Sequence, residues 1–180
     1  MTTTRRSELR TKLLAHAHAA PLIRALEDFE PDPAVATIVR ELEESFRAYR
    51  GDLARKASAP ITAIRFYWAG AEIEPWVPST VMGNVYAGKA LVLDSAGGFE
   101  PAPLSILCDA LAESEALAES DAFDDLKELF VLESVELARV AVAIAGRGDA
   151  FAALTTARPF EFLATPGHDE RKLLLLRLDA

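Results

Sequence analysis

Cysteine and long apolar runs are both scarce in this chain. Cys108 is the only cysteine among 180 residues. An internal disulfide is therefore impossible, and a closed zinc site with several thiolates is excluded. A reduced compartment suits such a chain, so we predict a cytoplasmic protein. No apolar run reaches the roughly 20 residues that a membrane span needs, so we expect no membrane association.

Basic charge is also in short supply. Lysine occurs at five positions, arginine supplies the rest, and the net charge is −9. A general nucleic-acid binder needs a basic face to displace counterions from phosphates, so we expect no nucleic-acid partner. A basic protein partner fits this balance better. The preference for alanine and for arginine over lysine indicates a GC-rich bacterial genome.

Residue patterns for metal binding are absent. His16 and His18 fall in a helical pattern, where positions i and i+2 lie about 200° apart and cannot share one metal ion. Glu133 and Glu136 lack the Glu-x-x-His partners of a di-metal bundle site. We therefore predict no metal and no cofactor, and interpret Glu136 and Arg139 as an i,i+3 ion pair.

Catalytic motifs are equally weak. Ser95 follows a predicted strand, but the G-x-S-x-G elbow of esterases is missing. Gly97 and Gly98 could present N–H groups to an anion, yet neither a Walker nor a dinucleotide pattern is present. Pro166 and Gly167 explain the neighbourhood of His168 as a tight turn. We interpret Ser95 to Pro103 as a connecting loop.

The strongest structural signal is a helix from Asp121 to Gly146. Apolar residues recur through it at helical spacing, Asp121 or Ser120 can cap its start, and Gly146 supplies a stop. Its second half, Val140 to Ala145, is apolar almost all round, which indicates a helix covered on more than one side.

The rest of the chain divides into helical and extended runs. We predict further helices over 7–19, 22–29, 104–117 and 149–154, and one that begins with Asp32 as N-cap and Pro33 and runs to between Gly51 and Ala57. In that last helix Glu43 and Arg47 form a favourable i,i+4 pair, and one apolar stripe comprises Val35, Ile38, Val39, Leu42, Phe46, Tyr49 and Leu53. Alternation predicts strands over 61–68, 72–77, 80–86 and 89–94, and a terminal hairpin over 159–165 and 171–178, in which Phe160, Phe162, Leu174 and Leu176 would fill one face.

Segregated helical and extended runs indicate the fold class. We predict one α+β domain over residues 1–180, in which a small, mostly antiparallel sheet packs against several helices and ends in a C-terminal β-hairpin. Residues 1–6 are predicted to be disordered. The hairpin would either extend the sheet or form a second one.

A group of aromatic and charged side chains is the best candidate for a binding surface. Arg65 and Tyr67 fall on the more polar face of one predicted strand, and Glu72, Glu74 and Trp76 follow in the next. Exposed aromatics among charges are typical of protein interfaces. The structural alternative is that the N-terminal helices cover both rings.

Two classes of function remain open from the sequence. The first is a non-enzymatic, acidic protein-binding module, adaptor-like or resembling an immunity protein that neutralises a basic toxin. The second is an enzyme that acts on a small molecule, with its site near the 94–100 loop and His168. That enzyme lacks a convergent set of polar groups, so we favour the binding module.

Overall fold

The structure is a computed structural model, and it describes residues 2–68, 80–166 and 172–179. Within those residues the helices are α1 (Thr2–Leu13), α2 (Ala20–Glu27), α3 (Pro31–Lys56), α4 (Ala102–Glu113), α5 (Glu115–Ala118), α6 (Phe123–Ala145) and α7 (Asp149–Ala152). The strands are β1 (Ile61–Trp68), β2 (Val81–Ala87), β3 (Ala90–Leu93), β4 (Gly98–Phe99), β5 (Thr156–Thr165) and β6 (Leu173–Leu178). No described helix is both long enough and apolar enough to cross a bilayer.

All six strands join one mixed sheet. Its order is β3-β2-β1-β5-β6, and β4 pairs with β2 beside β3. The β1–β5 pairing is parallel, and the remaining pairings are antiparallel. The predicted α+β class is confirmed, and the terminal hairpin extends the sheet through β5. The second predicted strand, 72–77, lies outside the described residues.

One face of the sheet carries the core. In β1, Ile64, Phe66 and Trp68 are buried, as the alternation predicted. On β5, Phe162 stacks parallel to Phe66 with 6.5 Å between ring centroids, and α3 places Phe46 6.1 Å from Phe162. Such offset and tilted ring pairs add to the stability gained by burying apolar area.

α3 covers this face with the predicted apolar stripe. Its buried side chains follow helical spacing: Val35, Ile38, Leu42, Phe46, Tyr49 and Leu53. The helix begins at Pro31, with Glu30 as N-cap, so the predicted N-cap at Asp32 is wrong by two positions. Pro31 suits a first turn because its missing N–H needs no partner there. The predicted Glu43–Arg47 pair is present, with 2.9 Å between the charged groups.

α6 is the central helix, and it stops at Gly146 as predicted, but its predicted N-cap is wrong. Ala122 is the N-cap, and no side-chain hydrogen bond caps the helix. The Ser120 hydroxyl instead donates to the Leu117 carbonyl, because α5 precedes α6 by a short turn. Gly146 ends the helix in a right-handed conformation, with φ −68°. Glycine is required there for steric reasons, because a Cβ would lie 2.8 Å from the Val142 carbonyl oxygen and 2.9 Å from the Phe162 ring.

α1 occupies a segment in which residues 1–6 were predicted to be disordered. The described part is helical from Thr2, and Leu9 and Leu13 are fully buried. Arg6 and Arg10 pair with Glu133 of α6 at 3.1 and 3.0 Å, and Lys12 pairs with Asp125. These carboxylates on a distant helix order the segment, and composition alone does not reveal them.

Other features also differ from the sequence prediction: α1 ends at Leu13 and not at 19, and α2 spans Ala20–Glu27 and not 22–29. The predicted helix over 104–117 is interrupted at Ser114, an extended residue that separates α4 from α5. In the hairpin, a register shift between Phe162 and Leu163 turns Leu174 outward, where it is 45% exposed. Phe160 and Phe162 are buried as predicted, whereas Leu174 is not part of the core face.

Candidate functional site

The sheet face opposite the core carries a cluster of Arg65, Tyr67 and Tyr86. Arg65 and Tyr67 alternate with buried Phe66 on β1. Tyr86 belongs to β2 and lies opposite Ala63 of β1. Because side chains alternate along a strand, all three point away from α3. All three are partly exposed. We call this group the outer-face cluster.

The outer-face cluster is held by three direct contacts. The Arg65 guanidinium donates to the Tyr67 hydroxyl at 3.0 Å and lies 4.4 Å from the centre of the Tyr86 ring. The two tyrosine hydroxyls are 3.0 Å apart. Cation–π and charge-assisted contacts of this kind fix side-chain positions before any ligand arrives.

Counting protons shows that the cluster has hydrogen-bond donors in excess. Two phenol protons are available, and the bond between Tyr67 and Tyr86 uses one of them. Arg65 has no acceptor to offer, so the second phenol proton finds no partner inside the cluster. The Nε–H of Arg65 is buried and makes no hydrogen bond, and the hydroxyl of Thr165 on the adjacent strand is in the same state. Of these donors, the second phenol proton is the one on the partly exposed side chains, so an oxygen acceptor would complement this surface.

The protonation state of the cluster follows from its surroundings. Partial burial, helped by the Tyr86 hydroxyl, raises the pKa of Tyr67 above its ordinary value, and the charge and hydrogen bond of Arg65 offset part of that rise. Tyr67 is therefore a neutral phenol at physiological pH and does not provide a phenolate base.

Of the five predicted binding residues, the structure places two. Arg65 and Tyr67 lie together on the outer face, while Glu72, Glu74 and Trp76 lie outside the described residues. Tyr86 was missed, although the alternation of Met82, Asn84 and Tyr86 against buried Val81 and Val85 could have revealed it. No known protein family, curated protein or solved structure matches the chain.

The 94–100 loop, the candidate enzyme site, is held by hydrogen bonds to β2 and to α3. The Ser95 amide donates to the Asn84 side chain at 2.7 Å, and the Gly83 amide donates to the Gly97 carbonyl at 2.6 Å. The Glu100 amide donates to Glu41 of α3 at 3.0 Å. The Ser95 hydroxyl donates to Asp94 at 3.3 Å.

The remaining candidate residues from the sequence are the three histidines and Cys108. His16 and His18 lie between α1 and α2, and His168 lies outside the described residues. Within the described chain, no group of three or more His, Cys, Asp or Glu side chains could hold a metal ion. Cys108 is half-buried, and burial, assisted by Asp109, raises the pKa of its thiol. A raised thiol pKa means less thiolate at neutral pH and lower reactivity.

Acidic side chains concentrate at one corner, formed by α4, α5 and the start of α6. The stretch 109–124 contains no lysine or arginine. Its exposed carboxylates are Asp109, Glu113, Glu115, Glu119, Asp121 and Asp124. Glu115, Glu119, Asp121 and Asp124 line a shallow depression together with Phe123. This acidic corner accounts for much of the net negative charge and creates a field that attracts cations.

Proposed function

We propose that this chain is a non-enzymatic protein-binding module whose anchor is the outer-face cluster. The observation that carries the proposal is a partly exposed sheet face on which Arg65, Tyr67 and Tyr86 hold one another in place and keep one phenol proton without an acceptor inside the cluster. Tyrosine and arginine dominate the energetics of protein interfaces, since each combines apolar area with directional bonds. The cluster would accept a carbonyl or carboxylate oxygen from the partner.

The partner in this proposal has a basic surface. The acidic corner would raise the rate at which such a protein encounters the chain, while the outer-face cluster supplies a desolvated anchor. Backbone carbonyls are available on any protein, so a basic partner can satisfy the donors of the cluster. Adaptor and immunity proteins are the classes that this arrangement suits. Glu72, Glu74 and Trp76 are proposed as additional contacts, and the enzyme alternative gains no specific support.

The test compares two arginine substitutions in chain recovered from its own host. Arg65→Met keeps an aliphatic stem but removes the guanidinium, and Arg50→Met makes the same change at an exposed position on α3. Native mass spectrometry should show a stoichiometric protein bound to wild type and to Arg50→Met. With Arg65→Met, the dissociation constant of the recovered complex should rise at least about tenfold.

Two outcomes would count against the proposal. Equal binding by both variants would remove the cluster from the interface. A bound small molecule without a protein partner would favour the enzyme alternative, and the 94–100 loop would be tested next. Trp76→Ala and Glu74→Arg, measured in the same assay, test the proposed additional contacts.

A further inference from the structure

The C-terminal half of α6 exposes an apolar surface that its sequence does not lead one to expect. Val140 and Ile144 are 50% and 53% exposed, although the run from Val140 to Ala145 indicated a helix covered on more than one side. They lie one helical turn apart and therefore share a face. α1 pairs with α6 through Asp125, Glu128 and Glu133, all in the N-terminal half of the helix. In the C-terminal half, the described chain buries Leu137, Ala138, Ala141, Val142 and Ala145 but leaves the side that carries Val140 and Ile144 exposed.

Charged residues of opposite sign flank this apolar pair. Glu136 precedes Val140 by one turn of α6. Arg147 lies two residues beyond the end of α6 and follows Ile144 by three residues, so it flanks the apolar pair at the C-terminal end of the helix. Arg139 is 3.5 Å from the Glu136 carboxylate, beyond ordinary hydrogen-bond distance, so the carboxylate retains acceptor capacity. Arg147 donates to the Ala143 carbonyl at 2.7 Å and forms no ion pair with a described carboxylate.

Along the chain this face carries an acid, two apolar residues and a base, in that order. When a second copy runs in the opposite direction, each charge meets the opposite charge and each apolar residue meets an apolar one. If a second α6 lies antiparallel on the first, Val140 of each copy faces Ile144 of the other. Glu136 of each copy then comes near Arg147 of the other. A two-fold axis produces such reciprocal contacts, because residue i meets j and j meets i.

We propose that this face, Glu136, Val140, Ile144 and Arg147, binds a second copy of the chain in an antiparallel helix pair. The face spans about three helical turns. A contact of that length buries less than the ~800 Å² per partner of a standard stable interface. The dimer is therefore weak, and its population rises with protein concentration. It involves a different surface from the outer-face cluster and does not depend on the proposed function.

The first experiment is sedimentation velocity over a concentration series from about 10 µM to 1 mM, the range in which weak interfaces populate. Wild type should shift from monomer toward dimer. Ile144→Asp should raise the dissociation constant at least about tenfold, because it places a charge at the centre of the contact. Leu91→Asp is the matched control, since Leu91 is 48% exposed on β3, and its dissociation constant should equal that of wild type.

A charge exchange tests the geometry and does not depend on Ile144→Asp folding well. Glu136→Arg and Arg147→Glu should each weaken the dimer, because each places like charges opposite one another. The double variant should recover association, since the two-fold axis again brings opposite charges together. A monomeric wild type at 1 mM, an equal effect of Leu91→Asp, or a double variant as weak as the single ones would overturn the proposal.

Discussion

Tyr49 offers a stability prediction that runs against the usual expectation for a core substitution. Its side chain is 1% exposed, yet its hydroxyl makes no hydrogen bond of normal geometry. A Cβ added to Gly83 would lie 2.6 Å from this hydroxyl, so the surroundings are tight. We expect Tyr49→Phe to stabilise the fold.

The magnitude follows from two opposing contributions. An unsatisfied buried polar group costs about 1–3 kcal/mol, which the substitution recovers. The void left by the hydroxyl, on the order of 15 Å³, costs about 0.4 kcal/mol. The net gain is about 0.6–2.6 kcal/mol in the free energy of unfolding, or about 1–10 °C in melting temperature for a chain of this size.

The pH dependence of stability gives a second measurement of the same group. Burial raises the pKa of Tyr49 to about 12. The Ser45 hydroxyl, which lies near the phenol but outside normal hydrogen-bond geometry, offsets part of the rise by favouring the phenolate. The unfolded phenol loses its proton near pH 10, while the folded one keeps it. The unfolded chain then binds fewer protons, so this contribution is complete below pH 10 and is lost as the pH rises toward 12. Tyr49→Phe should show a shallower loss of stability across that window.

Urea unfolding of wild type and Tyr49→Phe at pH 7 and at pH 10–11 measures both effects. Tyr67→Phe is the control, because its hydroxyl bonds to Arg65 and Tyr86. That variant should lose about 1 kcal/mol. A Tyr49→Phe protein less stable than wild type by 1 kcal/mol or more at pH 7 would show that the hydroxyl has a partner, and the reasoning would fail.

Three further substitutions test the core and its attachments by urea unfolding. Ser134→Ala should cost about 1–3 kcal/mol, because the buried Trp68 indole N–H donates to Ser134 at 2.7 Å and would lose its partner; an unchanged midpoint would contradict this. Gly83→Ala should cost about 1–3 kcal/mol, because the added methyl group overpacks against the Tyr49 hydroxyl, and the cost should be smaller in the Tyr49→Phe background. Equal costs in both backgrounds would show that this hydroxyl is not the source of the strain. Glu133→Gln should cost about 1–2 kcal/mol, since this half-buried carboxylate accepts hydrogen bonds from Arg6 and Arg10. The stability difference from wild type should shrink in high salt. A difference that grows with salt would contradict the ion-pair interpretation.

Local patterns predicted the elements well where one physical signal dominated. The bounds of β1, 61–68, agree with the structure, and the stripe of α3 is buried as its spacing indicated. Both signals depend only on the period at which apolar residues recur. The same reasoning placed Arg65 and Tyr67 on the polar face of β1.

Features that depend on distant residues were not accessible in this way. Alternation does not reveal which strand lies beside β1, so the parallel pairing with β5 was not predicted. The register shift that turns Leu174 outward arises where β5 and β6 pair, and α1 is ordered by carboxylates on α6. Tyr86 joins the candidate site because the β1–β2 register brings it opposite Ala63, within reach of the Arg65 guanidinium.

The parallel contact of β1 with β5 also governs how the chain can fold during synthesis. On the ribosome β1, β2 and β3 emerge early and can form their hairpins, whereas β5 follows only after four further helices. Until then, one edge of β1 has no strand partner from the described chain. Its sequence, ITAIRFYW, is rich in β-branched and aromatic residues and carries a single charge, which is the composition of an aggregation-prone edge. The nascent chain therefore depends on β5 to cover this edge, and a message truncated before residue 156 would yield a product prone to aggregation.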